Sequence, residues 1–205
     1  MYLPKHFEQN HEAHLLELMR THDFAIMVST IDGVPFATHL PALVRQTDGG
    51  LVIDAHVAAL NPHWRGLEKE PHVLMIFSGP HSYVSPTNYI SAQRVPTWNY
   101  LAVHASGTVR VLHERADKET TLGRLIAHHE PEFAERFARF DPAMRESLLN
   151  GIVALEIAVL RLEGKFKLGQ HRLADDRPEL QTSYESGSED QRELAAWMKK
   201  LGYWK

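Results

Sequence analysis

Apolar positions recur along this chain with two periods, and the two periods divide it into helices and strands. Leu15, Leu18 and Met19 share one face of a helix that Asn10 caps and that runs to about His22. The apolar run Phe24–Thr30 predicts a strand, and Asp32-Gly33 behind it predicts a type I′ hairpin turn. Val34–Val44 returns, interrupted by Pro35 and Pro41, with Thr38-His39 as its polar centre. Asp48-Gly49-Gly50 turns the chain into Leu51–His56, and connections this short favour antiparallel pairing. Val73–Ser78 is apolar almost throughout, as a strand buried on both faces would be. Tyr100–Leu112 alternates, and Gly107 within it predicts a bulge or a bend where a barrel closes. Ile152–Leu162 is the longest apolar strand, interrupted by Glu156.

Between the last two strands a helical excursion spans about 114–150. Asp117 caps a first helix with Leu122, Leu125, Ile126 and His129 on one stripe. Phe133, Phe137 and Phe140 form a second stripe, read as core or dimer contact, and Asp141-Pro142 opens a third helix that Asn150-Gly151 stops. Asp175–Gly187 reads as a polar, turn-rich, mobile segment. Ser188 and Gln191 then make the capping box of a helical tail over about 188–205, with Leu194, Trp197, Met198 and Leu201 on one face. This order predicts an α+β fold, mainly β, as one domain over 1–205: a closed or split β-barrel with peripheral helices.

Composition narrows the function classes. The chain has 205 residues, 43% hydrophobic and 23% charged, as soluble globular domains do. It has no cysteine, which removes disulfides, thiolate metal sites and a cysteine nucleophile. No apolar run approaches the ~20 residues that cross a bilayer, and the start lacks the pattern of a signal peptide, so a cytoplasmic protein without a membrane partner is expected. A net charge of −4 argues against a main task of holding DNA. Neither G-x-G-x-x-G after a strand nor a Walker sequence occurs.

Four features carry candidate chemistry. His11-Glu12-Ala13-His14 is one residue too short for a zinc-protease helix; its histidines, three apart, either share a metal or line a solvated face, the latter the commoner case, and adjacent His128 and His129 project about 100° apart as poor joint ligands, so no metal site is expected. Asn61-Pro62-His63-Trp64 opens a short helix, which is either an anion site at the end of the strand carrying Asp54 and His56 or a plain strand-to-helix turn. Lys165 and Lys167 share one side of an extended segment, with Phe166 and Leu168 on the other. They are either a protected strand edge or a cationic arm for a phosphate or carboxylate. His81–Tyr100 has three tyrosines, a tryptophan, two prolines and an arginine, far from the polar composition of a simple connection. It is either a wall against a planar ligand or partner subunit, or a long loop over its own core.

Met1-Tyr-Leu-Pro-Lys-His-Phe, Gly79-Pro-His-Ser-Tyr-Val-Ser-Pro, Val95-Pro-Thr-Trp-Asn-Tyr with Val103-His104, and Gly164-Lys-Phe-Lys-Leu together carry a resemblance. Thr38-His39-Leu40-Pro41 and Asn61-Pro62-His63-Trp64 fit it as well. On these motifs the chain resembles the PaiB family of FMN-binding negative transcriptional regulators, within the flavin-binding split-barrel group. It departs from the family pattern at Ala58, Asn88, Gly169 and His171. The resemblance implies a homodimeric split barrel with FMN at the subunit boundary. Thr38 and His39 would then meet the cofactor from the second strand, and Asp54, Ala55, His56 and the turn at Asn61 would surround the phosphate. Trp98 and Asn99 would flank the ring system, with Lys165, Lys167 and Gln170 approaching from the C-terminal strand.

Three functions follow. The first is a flavin-dependent redox protein or sensor, with no general base identifiable and therefore no catalytic residue assigned. The second is negative transcriptional regulation. Direct DNA contact has little support, because the helix after Pro131 presents phenylalanines where a groove-reading helix needs Arg, Asn or Gln. The third is haem binding or degradation, which needs a histidine such as His39, His81, His104 or His171 projecting into an apolar pocket.

Overall fold

The structure, a computed structural model, describes residues 1–89, 94–171 and 176–204. In chain order its elements are β1 (Glu8–Gln9), α1 (Glu12–Thr21), β2 (Phe24–Ile31), β3 (Val34–Thr47), β4 (Gly50–Ala58), α2 (His63–Lys69) and β5 (His72–Val84). There follow β6 (Thr97–Leu112), α3 (Arg115–His129), α4 (Phe133–Ala138), α5 (Pro142–Asn150), β7 (Ile152–Lys167), α6 (Arg177–Glu185) and α7 (Glu189–Lys200). Two short 3-10 turns lie at Lys5–Phe7 and Pro86–Asn88.

The chain forms two compact units. Unit one comprises Met1–Leu18, Ser78–Val103 and Glu163–Lys205; unit two comprises Met19–Phe77 and His104–Leu162. The strands hydrogen-bond in the order β1-β7-β4-β3-β2-β5-β6, and β6 pairs back with β7, so six strands close on themselves. The pairs β1–β7, β2–β3, β2–β5, β3–β4 and β4–β7 are all antiparallel.

In unit two the barrel follows from local chemistry. Asp32 and Gly33 have φ of 51° and 79°, the two positive values a type I′ turn requires, and they set β2 against β3 from Ile31↔Val34 to Phe24↔Pro41. β4 adds to β3 and β7 adds to β4, with Ala55 opposite Ala42 on one side and Leu155 on the other. Alternation sends Met27, Leu40, Ala42, Ile53, Ala55 and Ile157 inward, each at most 2% exposed. Closure occurs where Gly107 of β6 lies against the backbone of Ala158: a Cβ there would collide with the Ala158 carbonyl and come within 3.1 Å of Ile157 Cγ2. What Gly107 provides there is the absence of a Cβ, which lets the two backbones approach.

In unit one β1 pairs with β7 (Glu8↔Lys165, Gln9↔Gly164). Phe166 and Leu168 are buried and Lys165 and Lys167 half-exposed, as the alternation predicts. Helix α7 begins with the complete capping box of Ser188 and Gln191, and buries Leu194, Trp197 and Met198.

Three expectations are corrected. Asp117 stands inside the first turn of α3, whose N-cap position is Glu114. The stretch read as mobile holds α6, because Leu180 and Tyr184, one helical turn apart, are both buried and Pro178 stands in its first turn. Burial in the fold, invisible to local composition, outweighs the polar character of that stretch. The strand expected to end at Ser78 runs on to Val84, with Ser82 and Val84 buried and His81 and Tyr83 exposed. A Gly79-Pro80 step conceals that alternation in the sequence. The part of the aromatic segment at residues 90–93 lies outside the described residues.

Candidate functional site

The residues expected to form one site fall in both units, and each group is described within its own.

In unit two, Thr38 and His39 point to opposite faces of β3. Thr38 pairs with buried Met27 and looks inward; His39 pairs with Ile26 and is exposed, its ring 6.4 Å from that of Phe24. A hydroxyl facing an apolar interior needs partners. Thr38 Oγ1 accepts from Asn61 Nδ2 at 3.1 Å and lies 2.9 Å from His63 Nδ1, while His63 Nε2 lies 2.8 Å from Ser29 Oγ. Asn61 Oδ1 also accepts from the His63 backbone N–H at 3.0 Å, fixing the turn that starts α2. His63 is fully buried, and burial lowers its pKa. Each ring nitrogen has a hydroxyl partner that can donate or accept, so the neutral ring is satisfied in either tautomer. His63 was not assigned a site role from the sequence. Its signal was there: a Thr on the inward side of a strand, and an imidazole entering a short helix beside it.

The next strand splits the same way. Ala55 is wholly inside the barrel, whereas Asp54 and His56 stand on the opposite face of β4, the face α3 packs against. Asp54 is 1% exposed and is held by Arg45, which donates from Nε at 2.5 Å and from Nη2 at 2.7 Å, and by Arg124 Nη1 at 3.1 Å. Glu156 extends the cluster, accepting from Arg45 at 3.4 Å and from Arg110 at 2.8 Å. The Asp54 hydrogen bond raises the Arg45 pKa above its ordinary value, and the Glu156 hydrogen bond does the same for Arg110. Asp54 is therefore matched by guanidinium groups that the sequence reading did not connect to it. His56 differs: its Nδ1 is buried with no hydrogen-bond partner among the described residues, and burial lowers its pKa.

In unit one, Trp98 and Asn99 likewise face opposite ways. Asn99 is 1% exposed and donates from Nδ2 to the Tyr184 hydroxyl at 3.1 Å; burial pushes the Tyr184 pKa up to about 12. Trp98 is 51% exposed, with Tyr83 and His81 rings at 5.9 and 6.2 Å. Lys165 Nζ donates to the Tyr2 carbonyl at 3.0 Å and sits 5.3 Å from the Tyr2 ring and 5.6 Å from the Tyr100 ring. Lys167 Nζ donates to Thr97 Oγ1 at 2.6 Å and lies 5.8 Å from the Phe7 ring. Gln170 closes the turn after β7, accepting from Leu168 N at 2.8 Å and donating to the Phe166 carbonyl. Two cations on one strand face, bracketed by rings, can neutralise an oxyanion beside a conjugated system.

Of the four histidines considered for haem, His39, His81 and His171 are exposed and His104 is half-buried. The phenylalanine stripe of the excursion packs on itself, with Phe133, Phe137 and Phe140 rings 5.5–6.2 Å apart and none buried.

Residues 1–161 match the family model described as "Putative FMN-binding domain". The chain is 35% identical over 178 residues to the "Protease synthase and sporulation protein PAI 2" of Bacillus subtilis, an alignment covering 86% of this chain and 85% of that protein. Among solved structures it resembles the flavocytochrome Anf3 of Azotobacter vinelandii, with a TM-score of 0.61 and 16% identity over 78% of this chain and 69% of that one. It also resembles an FAD- and haem-binding protein of Mycobacterium smegmatis, with a TM-score of 0.59 and 19% identity over 78% and 73% of the two chains. At these identities the likeness carries the fold, which is the split barrel expected from the motifs.

Proposed function

We propose that this chain, which belongs to the FMN-binding domain family that also contains the Bacillus subtilis PAI 2 protein, binds FMN as a cytoplasmic homodimer. In this reading the bound flavin makes it a redox protein or a flavin-linked negative regulator of transcription. The observation that carries the reading, beside family membership, is one face of the end of β7 in unit one, where Lys165 and Lys167 stand among the rings of Tyr2, Tyr100 and Phe7. When bound, FMN supplies electron and hydride chemistry that no amino-acid side chain offers. The protein's part is to hold and orient it. Lys165 and Lys167 suit the phosphate or the ring's oxygen edge, and exposed Trp98 offers a face for the ring system. In unit two, exposed His39 offers a ring donor or acceptor to a ligand, whereas His56 Nδ1 is buried.

Several candidate residues act through others. Thr38 and Asn61 fix the His63 turn, Asp54 fixes Arg45 and Arg124, Asn99 fixes Tyr184, and Gln170 fixes the turn after β7. Ala55 provides backbone inside the barrel. FMN is favoured over haem because none of the four histidines considered as axial ligands is buried. Regulation through a ligand or protein partner suits the net charge of −4 better than direct DNA contact.

The test is the small molecule that accompanies the purified protein. Mass spectrometry of an acid extract should return FMN at about one per chain, with the visible absorption of oxidised flavin bleached by dithionite. Absence of flavin, together with unquenched fluorescence when FMN is titrated in, would overturn the reading.

A further inference from the structure

Away from those residues, unit two brings Asp23, His128 and His129 together. Asp23 precedes β2, and the histidines end α3, 105 residues later. His128 Nε2 lies 3.2 Å and His129 Nε2 3.7 Å from the same oxygen, Asp23 Oδ2, and the three ligand atoms lie within 4.8 Å of one another. Adjacent positions on a helix project about 100° apart, which by itself makes poor joint ligands. The two histidines converge nonetheless, because both reach a carboxylate brought to the helix end by another element.

We infer that Asp23, His128 and His129 form a binding site for a divalent transition-metal ion of the zinc class, clasping the end of α3 to the start of β2. Around tetrahedral zinc, with bonds of about 2.0–2.2 Å, ligand atoms stand about 3.3–3.6 Å apart, close to the two distances to Asp23. Two imidazoles and one carboxylate suit zinc, cobalt or nickel and leave positions for water. All three side chains are partly exposed, at 24%, 35% and 46% for Asp23, His128 and His129, so an ion has access. Both supports are anchored independently of the ion. The Asp23 carbonyl accepts from Ala42 N at 2.8 Å. One turn before the histidines, Arg124 is tied to Asp54 and Leu125 is buried. The negative end of the α3 dipole also favours a cation there.

The experiment uses the full chain, stripped with EDTA and carrying whatever flavin it retains. Titrated Co²⁺ should develop the intense visible bands of a tetrahedral site at one equivalent, and Zn²⁺ should displace it. At Zn²⁺ a hundredfold above its Kd, Tm should rise by about 5–10 °C. His128→Ala and His129→Ala should each weaken binding more than about tenfold, and Asp23→Asn, which keeps the side-chain shape, serves where an alanine variant fails to fold. His11→Ala tests the other close imidazole pair, whose rings lie 4.6 Å apart, and should change nothing. Absence of a one-equivalent endpoint, or binding that survives loss of either histidine or falls with His11→Ala, would overturn the assignment. In that case two imidazole donors sharing one carboxylate account for the contacts.

Discussion

At Asp54 a carboxylate sits inside a mostly apolar strand, 1% exposed, and two arginines converge on it. Removing one side of such a cluster strands the other. Arg45 and Arg124 are 23% and 40% exposed and can be partly solvated, so Asp54→Ala should destabilise the protein by about 1–3 kcal/mol in urea denaturation. A loss below about 1 kcal/mol would show the arginines to be solvated. His63 yields a pH dependence. Burial holds its folded pKa below the ordinary value near 6.5, so the unfolded chain binds more protons under that pH. His56 and His14 are also lowered, with desolvation the leading cause in both. Stability should be fully present above about pH 6.5 and fall as pH drops through the window beneath it, read as Tm against pH. His63→Gln should flatten that slope, and an unchanged slope would place the titration elsewhere. At the proposed ligand face, Lys165→Ala should weaken FMN binding about tenfold in a fluorescence titration while Tm stays nearly constant. A fall in Tm without loss of affinity would make Lys165 a packing residue against Tyr2 and Tyr100.

Among the elements, what the sequence disclosed was local chemistry. The Asp32-Gly33 turn, the Ser188–Gln191 capping box and the alternation of Lys165 to Leu168 each depend on residues at most four apart, and each appears in the structure. Helix α6 escaped because its reason to exist is the burial of Leu180 and Tyr184, which no short window contains. Candidate positions were legible by residue type, their directions less so. Thr38 and His39, Asp54 and Ala55, and Trp98 and Asn99 are each adjacent on a strand, so the period of two sends one inward and its neighbour outward. Motif matching does not carry that distinction. Barrel closure at Gly107 is the most exacting element contact, because backbone stands where a side chain would begin. Gly107→Ala should cost about 1–3 kcal/mol or more, since the Ala158 carbonyl cannot rotate away as a flexible side chain would. Normal stability in that variant would mean that β6 and β7 separate without penalty.

For the whole molecule, the exposed apolar surface has to be accounted for. In unit two a groove of about 490 Å³ is lined by Val28, Thr30, Pro35, Leu74, Ser106 and Leu160, and Leu160 is 71% exposed. Isolated exposed apolar side chains are ordinary, so Leu160 carries information only where a partner is proposed to cover it. A second copy of the chain is the partner that the proposed homodimer supplies. Sedimentation equilibrium should then give twice the 23.4 kDa chain mass. Leu160→Glu places a charge where apolar contact would be desolvated, and should shift the equilibrium toward monomer while circular dichroism and Tm at low concentration stay close to the parent values. Flavin binding measured on that variant separates two outcomes. Loss of FMN together with dimerisation means that the cofactor needs both copies, whereas an FMN-loaded monomer means that each chain holds its flavin alone. A wild-type protein that sediments as a monomer at micromolar concentration would remove the dimer from the reading and leave the groove to a different partner.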